Sequence, residues 1–84
     1  MRLLADIPHD RYKIQIFNYN AKYIVKIELS QFEQTFKISE TDVTGLEDVK
    51  KMVSNQLLNN SLERFVSMRA DWGEAFKNIN TFNK

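Results

Sequence analysis

The stretch YKIQIFNYNAKYIVKIEL, residues 12–29, decides the fold. Apolar side chains recur at every second position on both sides of Asn20-Ala21, which is the spacing of two strands that each bury one face. A two-residue turn at Asn20-Ala21 folds a first strand (11–19) back on a second (22–30). Tyr12 then lies opposite Leu29, Ile14 opposite Ile27 and Ile16 opposite Val25. On the reverse face the same register sets Lys13 against Glu28 and Phe17 against Ile24, so both faces pair sensibly. A slip of one residue would turn every apolar side chain to the wrong face, and this fixes the register.

Outward from this hairpin, a second short turn at Ser30-Gln31 adds a third strand. Its Phe32, Phe36 and Ile38 face Leu29, Val25 and Tyr23, with Gln34 the one polar residue on the apolar side. Glu33 falls across from Glu28, a like-charge conflict that a wider or bulged turn would relieve. The expectation is a three-stranded antiparallel meander over residues 11–38.

After Ser39 the period changes from two to between three and four. Thr44-Gly45-Leu46-Glu47 has the spacing of a capping box, and a helix is expected from 44 to about 59. Its apolar stripe is Leu46, Val49, Met52, Val53 and Leu57, with Glu47, Asp48, Lys50, Lys51 and Asn55 turned to water. A second stripe of Leu62, Phe65, Val66, Arg69, Trp72, Phe76 and Ile79 follows. At about 100° per residue the two stripe centres lie roughly 150° apart, so one straight helix cannot present both to one surface. Asn59-Asn60-Ser61 is a chemically reasonable break, because Asn and Ser side chains compete for backbone hydrogen bonds and cap helices. The alternative is one long helix whose halves bury against different partners, as in an exchanged dimer. Gly73 marks either a close backbone approach or the end of the second helix, and 80–84 reads as a frayed tail.

The reading is therefore a single small α+β domain, order βββαα, with two amphipathic helices (44–59 and 61–79) packed on one face of the sheet. Three strands are narrower than two helices side by side. Either residues 2–7 must cover the surplus, as a fourth strand or laid across the helices, or a second copy of the chain must.

Composition narrows the function classes. The 84 residues contain no cysteine, which removes disulfides, thiolate nucleophiles and Cys-pair zinc sites and suits a reducing cytoplasm. The first residues are too short an apolar run for a signal peptide, and no segment reaches membrane-spanning length. Twelve Lys and Arg against eleven Asp and Glu leave a net charge of +1, so any electrostatic recognition must be local. His9 beside Asp10 is the sole hint of acid–base chemistry, and no nucleophile motif accompanies it. A Pro-containing entry to a strand is a usual place for such residues, as loop residues. One histidine with scattered carboxylates makes no metal-ligand pattern, two glycines make no phosphate loop, and no cofactor is expected.

Two surfaces carry chemical content. The first is the stripe Phe65, Arg69, Trp72, Phe76 and Ile79, rich in the residue types of symmetric interfaces. The second is the outer sheet face, where Lys13, Phe17, Tyr19, Lys26 and Lys37 combine bases for phosphates with rings for stacking. The sequence thus points to a small protein-interaction domain without catalytic activity, a homodimer or bound to another protein. Single-stranded nucleic-acid binding is the alternative, and an enzyme acting through His9 and Asp10 ranks third.

Overall fold

The computed structural model describes the backbone of residues 1–82 and the side chains of 1–79. Four strands form one antiparallel meander: β1 (Arg2–Ile7), β2 (Lys13–Tyr19), β3 (Lys22–Leu29) and β4 (Phe32–Ser39), in spatial order β1-β2-β3-β4. A 3-10 turn at Glu40–Asp42 leads to α1 (Leu46–Met52) and α2 (Asn55–Phe82). The protein is α+β with an antiparallel sheet followed by helices, in the order ββββαα rather than βββαα.

The fourth strand is β1, one of the two placements open to residues 2–7, and it carries a bulge. Leu3 pairs with Phe17 but Ala5 pairs with Ile16, leaving Leu4 as the extra residue. Leu3 therefore points to the outer face while Ala5 and Ile7 point inward and pack on the core. An inserted residue breaks the period-2 signal on which a strand is recognised.

The expected pairing of the other three strands is present from Lys13 onward; Tyr12, expected opposite Leu29, precedes β2 and lies outside the ladder. Ile14 faces Ile27, Ile16 faces Val25 and Phe17 faces Ile24. Leu29 faces Phe32, Val25 faces Phe36 and Tyr23 faces Ile38. Glu28 and Glu33 do sit directly opposite each other, and the β3–β4 ladder absorbs the conflict without a bulge. Lys13, the partner of Glu28 on its other side, flanks the acidic pair. At the first turn Asn20 (φ 52°) and Ala21 (φ 59°) are both left-handed, the twist that matches a two-residue hairpin.

The helices cover one face. Tyr12, Ile14, Ile16, Val25 and Ile27 of the sheet segment, Val49 of α1, and Leu58 and Phe65 of α2 form a single buried cluster. Each such side chain contributes about 1.5–3 kcal/mol by leaving water. Tyr12 ties sheet to helix, with its ring stacked on Phe65 at 5.9 Å and its hydroxyl donating to the Leu58 carbonyl at 3.4 Å. Gln34, the polar residue on the inner face, donates from Nε2 to the Ser61 carbonyl at 2.9 Å and accepts from Arg64 Nε at 2.8 Å.

The helix break lies at Val53-Ser54, not at Asn59-Asn60-Ser61. The Ser54 hydroxyl accepts from the Leu57 N–H at 3.2 Å and its carbonyl accepts from the Leu58 N–H at 3.0 Å, so Ser54 caps α2. Asn59 and Asn60 point to water from the second turn of a regular helix, and Ser61 is fully buried against the sheet. A small side chain at 61 lets helix and sheet approach, where the sequence reading used it as a cap. The start of α1 also differs by one residue from the expected box. Thr44 donates through its hydroxyl (2.6 Å) and its N–H (2.9 Å) to Asp48, while Glu47 pairs with Lys50 at 3.1 Å.

α2 continues to Phe82, into the segment expected to be a tail; the rest of that segment, 83–84, lies outside the described residues. Its 28 residues extend about 42 Å, well beyond strands of seven or eight residues at about 3.3 Å each. The radius of gyration, 15.9 Å, exceeds the about 12 Å of a compact chain of this length. The longest extent of the molecule is 55 Å, against 26 and 18 Å for the other two. No described helix is long and apolar enough to cross a membrane.

Candidate interaction surface on the second helix

One face of α2 recurs every seven residues. Leu58, Phe65, Trp72 and Ile79 stand one heptad apart, with Ser61, Met68 and Ala75 between them at the three-residue step. This alternation of three and four puts the seven residues on one continuous side of the helix. The sheet supplies a partner for the first half only. Leu58, Ser61 and Phe65 are 7%, 0% and 3% exposed, whereas Trp72, Phe76 and Ile79 on the same face are 63%, 65% and 59% exposed.

The change occurs at the β3–β4 turn. Gln31 and Phe32 share a hollow with Met68, Asp71 and Trp72, and every residue from Arg69 to Ile79 beyond it is exposed. Those 11 residues project about 16 Å into solvent. Of the five residues expected on the interaction stripe, Phe65 belongs to the core, and Arg69, Trp72, Phe76 and Ile79 line one shallow apolar hollow with Gln31 and Ala75. Among the described residues the Arg69 guanidinium has neither an ion pair nor a ring contact; the rings under cations are Phe17 and Phe36. Gly73 lies inside the helix with nothing within 4 Å of where a Cβ would stand, so neither a close approach nor a helix end explains it.

The sequence placed Arg69, Trp72, Phe76 and Ile79 on this face but not Met68 or Ala75. The seven-residue recurrence of Leu58, Phe65, Trp72 and Ile79 was the signal that would have joined the two halves. The assumed break at 59–61 cut it.

The outer sheet face presents its residues in rows. Leu3, Phe17, Ile24 and Lys37 form one, and Asp6, Gln15, Lys26 and Thr35 form the next. The five residues expected to bind nucleic acid do share this face. Lys26 places its ammonium 5.2 Å from the Phe17 ring centre, and Ile24 beneath its neighbours is 6% exposed. Tyr19 stands at the hairpin tip, 52% exposed, with Lys13 and Lys37 toward solvent.

His9 caps the loop into β2. Its Nδ1 accepts from the backbone N–H of Arg11 (3.0 Å) and of Tyr12 (3.3 Å), and its ring stacks on Tyr12 at 4.8 Å. The lone pair that a general base would use is thus held by the loop, and Asp10 is exposed beside it. Among the described residues no three His, Cys, Asp or Glu side chains converge as metal ligands.

The chain matches no family model, and no curated protein or solved structure is significantly similar to it. Its functional reading rests on its own surface.

Proposed function

We propose that this chain is a protein-interaction domain without catalytic activity, and that its docking surface is the projecting half of α2. One observation carries this: a single helix face is buried through Phe65 and bare from Trp72 onward, with no change in its apolar character. Scattered exposed apolar residues are ordinary. A contiguous Trp, Phe and Ile on one face, flanked by Arg69 and Asp71, is the arrangement of a surface that another protein covers. Such aromatic anchors dominate binding where they become fully desolvated. The loop role of His9 and its exposed neighbour Asp10 favour this reading over an enzymatic one.

Site-specific photo-crosslinking in the cell that makes the protein tests it. A photoreactive residue at Phe76 is expected to give a discrete protein adduct that disappears with Trp72→Glu, while one at Lys51 gives none. Absence of an adduct at position 76 removes the proposal.

A second reading rests on the outer sheet face, where Lys13, Lys26 and Lys37 stand around Phe17 and Tyr19 on the side opposite both helices. Single-stranded nucleic acid would stack on the rings and neutralise the ammonium groups, with an affinity that falls as salt rises. Glu28 and Glu33 on the same face oppose it. No shift of a labelled oligonucleotide at low salt eliminates this alternative; a shift lost with Lys26→Glu and Lys37→Glu together would raise it above the first.

A further inference from the structure

We infer that the occupant of this surface is a second copy of the same chain, its α2 lying antiparallel against the first, with Trp72 of each copy packed on the partner's Ala75. The inference rests on the docking reading above and specifies the partner and its orientation.

Three features of the chain select this partner. The first is continuity. The seam that packs on the sheet through Phe65 keeps its heptad spacing to Ile79, so its second half presents a continuous apolar face of the kind a partner helix can follow. α2 itself carries that seam over the same length.

The second is the fit between sizes and charges in the two orientations. A parallel pair would stack Trp72 on the partner's Trp72 and Ala75 on the partner's Ala75, crowding one layer and leaving a gap in the next. It would also bring Arg64 toward the partner's Arg69, a like-charge contact across the seam. The antiparallel pair matches large with small, Trp72 with the partner's Ala75, and sets Met68 against the partner's Ile79. It further places the unpaired Arg69 guanidinium beside the partner's Phe76 ring, a cation–π contact. Each helix end then runs toward the partner's β3–β4 turn, where Gln31 and Phe32 already border the seam.

The third is area. Trp72 and Phe76 are each about two-thirds bare, and an aromatic side chain carries about 150–250 Å², so their rings alone offer about 250 Å² per copy. With Ile79, Met68 and the stem of Arg69 each copy contributes on the order of 500 Å², and two copies on the order of 1,000 Å². That is the size at which a specific interface begins. The arrangement is isologous, so it closes at two copies and leaves no apolar end to recruit a third.

The test uses the full chain, which lacks cysteine. Light scattering is expected to show the mass rise from 9.9 kDa toward twice that value with concentration, and Trp72→Glu to hold it at 9.9 kDa with the far-ultraviolet spectrum unchanged. Orientation is read from disulfides. A mixture of Met68→Cys and Ile79→Cys chains is expected to form a mixed disulfide under mild oxidation, at least about tenfold more than either chain forms alone. Efficient self-crosslinking of Ile79→Cys alone means a parallel pair and overturns the inference. A chain that stays at 9.9 kDa up to about 1 mM also overturns it. If the Phe76 photo-adduct then holds a different protein, the docking surface stands without the second copy; if no adduct forms, both fall.

Discussion

At the scale of single residues, the fold tolerates a few local costs that substitution can expose. Ala21 holds φ 59° at the second position of the β2–β3 turn, where an L side chain crowds its own backbone and glycine does not. Ala21→Gly is therefore expected to raise the unfolding free energy by about 1 kcal/mol, seen as a higher urea midpoint at unchanged slope. A lower midpoint would mean that the alanine is stabilised by something other than the turn. Gln34 poses the opposite case, a polar side chain on the inner face that joins β4 to α2 through Ser61 and Arg64. Gln34→Ala leaves the Arg64 guanidinium without that acceptor and is expected to cost about 1–2 kcal/mol. Because the two residues share a bond, adding Arg64→Ala to Gln34→Ala should cost less than Arg64→Ala alone, with a coupling of about 0.5 kcal/mol in a double-mutant cycle. Strict additivity would show that the bond contributes nothing.

At the scale of elements, α1 is a helix of seven residues whose start is fixed by charge as much as by packing. Asp48 accepts from the Thr44 hydroxyl and then from the Thr44 N–H, and with Lys51 nearby these hold its carboxyl below the ordinary value of 3.8. A carboxyl whose folded value lies below its unfolded one stabilises the fold above 3.8 and loses that contribution as pH falls through the lowered value. In Thr44→Val the Asp48 resonance is expected to titrate closer to 3.8, and the native chain should be the more stable near neutrality, with the difference closing in acid. A difference that persists undiminished below that range would assign it to lost packing at Thr44 instead.

What the sequence revealed at this scale follows from which signals are local. The β2–β3–β4 register was legible because each turn has two residues and the inward positions are apolar at every second residue apart from Gln34, which placed Ile14, Val25 and Phe36 on one face. β1 stayed open between a fourth strand and a segment laid across the helices, because Leu4 is an inserted residue and the alternation fails around it. The boundary between α1 and α2 was misplaced for a different reason. Asn59, Asn60 and Ser61 have the side chains of a cap, but a capping hydroxyl acts only where the helix begins, and Ser54 already serves that role six residues before Asn60. The stripe containing Trp72 was readable as apolar and aromatic. Its division into a buried and a bare half depends on where β4 turns back, which is a property of the assembled sheet.

At the scale of the whole molecule, the elongated shape separates two kinds of stability in one helix. The body, from β1 to about Met68 of α2, buries a common core, while residues 69–79 touch little else in the chain and depend on helix propagation from the docked half. An unsupported helix end opens by fraying, and its amides should exchange at rates unrelated to global unfolding. In dilute solution, amides of 58–66 are expected to exchange only through global opening, and those of 70–79 to exchange far faster, with protection declining toward the end. Gly73 accentuates this, since glycine within a helix costs about 1 kcal/mol relative to alanine; Gly73→Ala should slow exchange across 70–79 and leave 58–66 unchanged. Raising the concentration should do the same through a different cause, because pairing of two copies would bury Trp72 and Ile79 and tie opening of the projecting half to dissociation. Trp72→Glu should abolish the concentration effect and leave that of Gly73→Ala in place. Uniform slow exchange along all of α2 in dilute solution would mean that the projecting half is held by the body itself, and the separation of docked and projecting halves would fail with it.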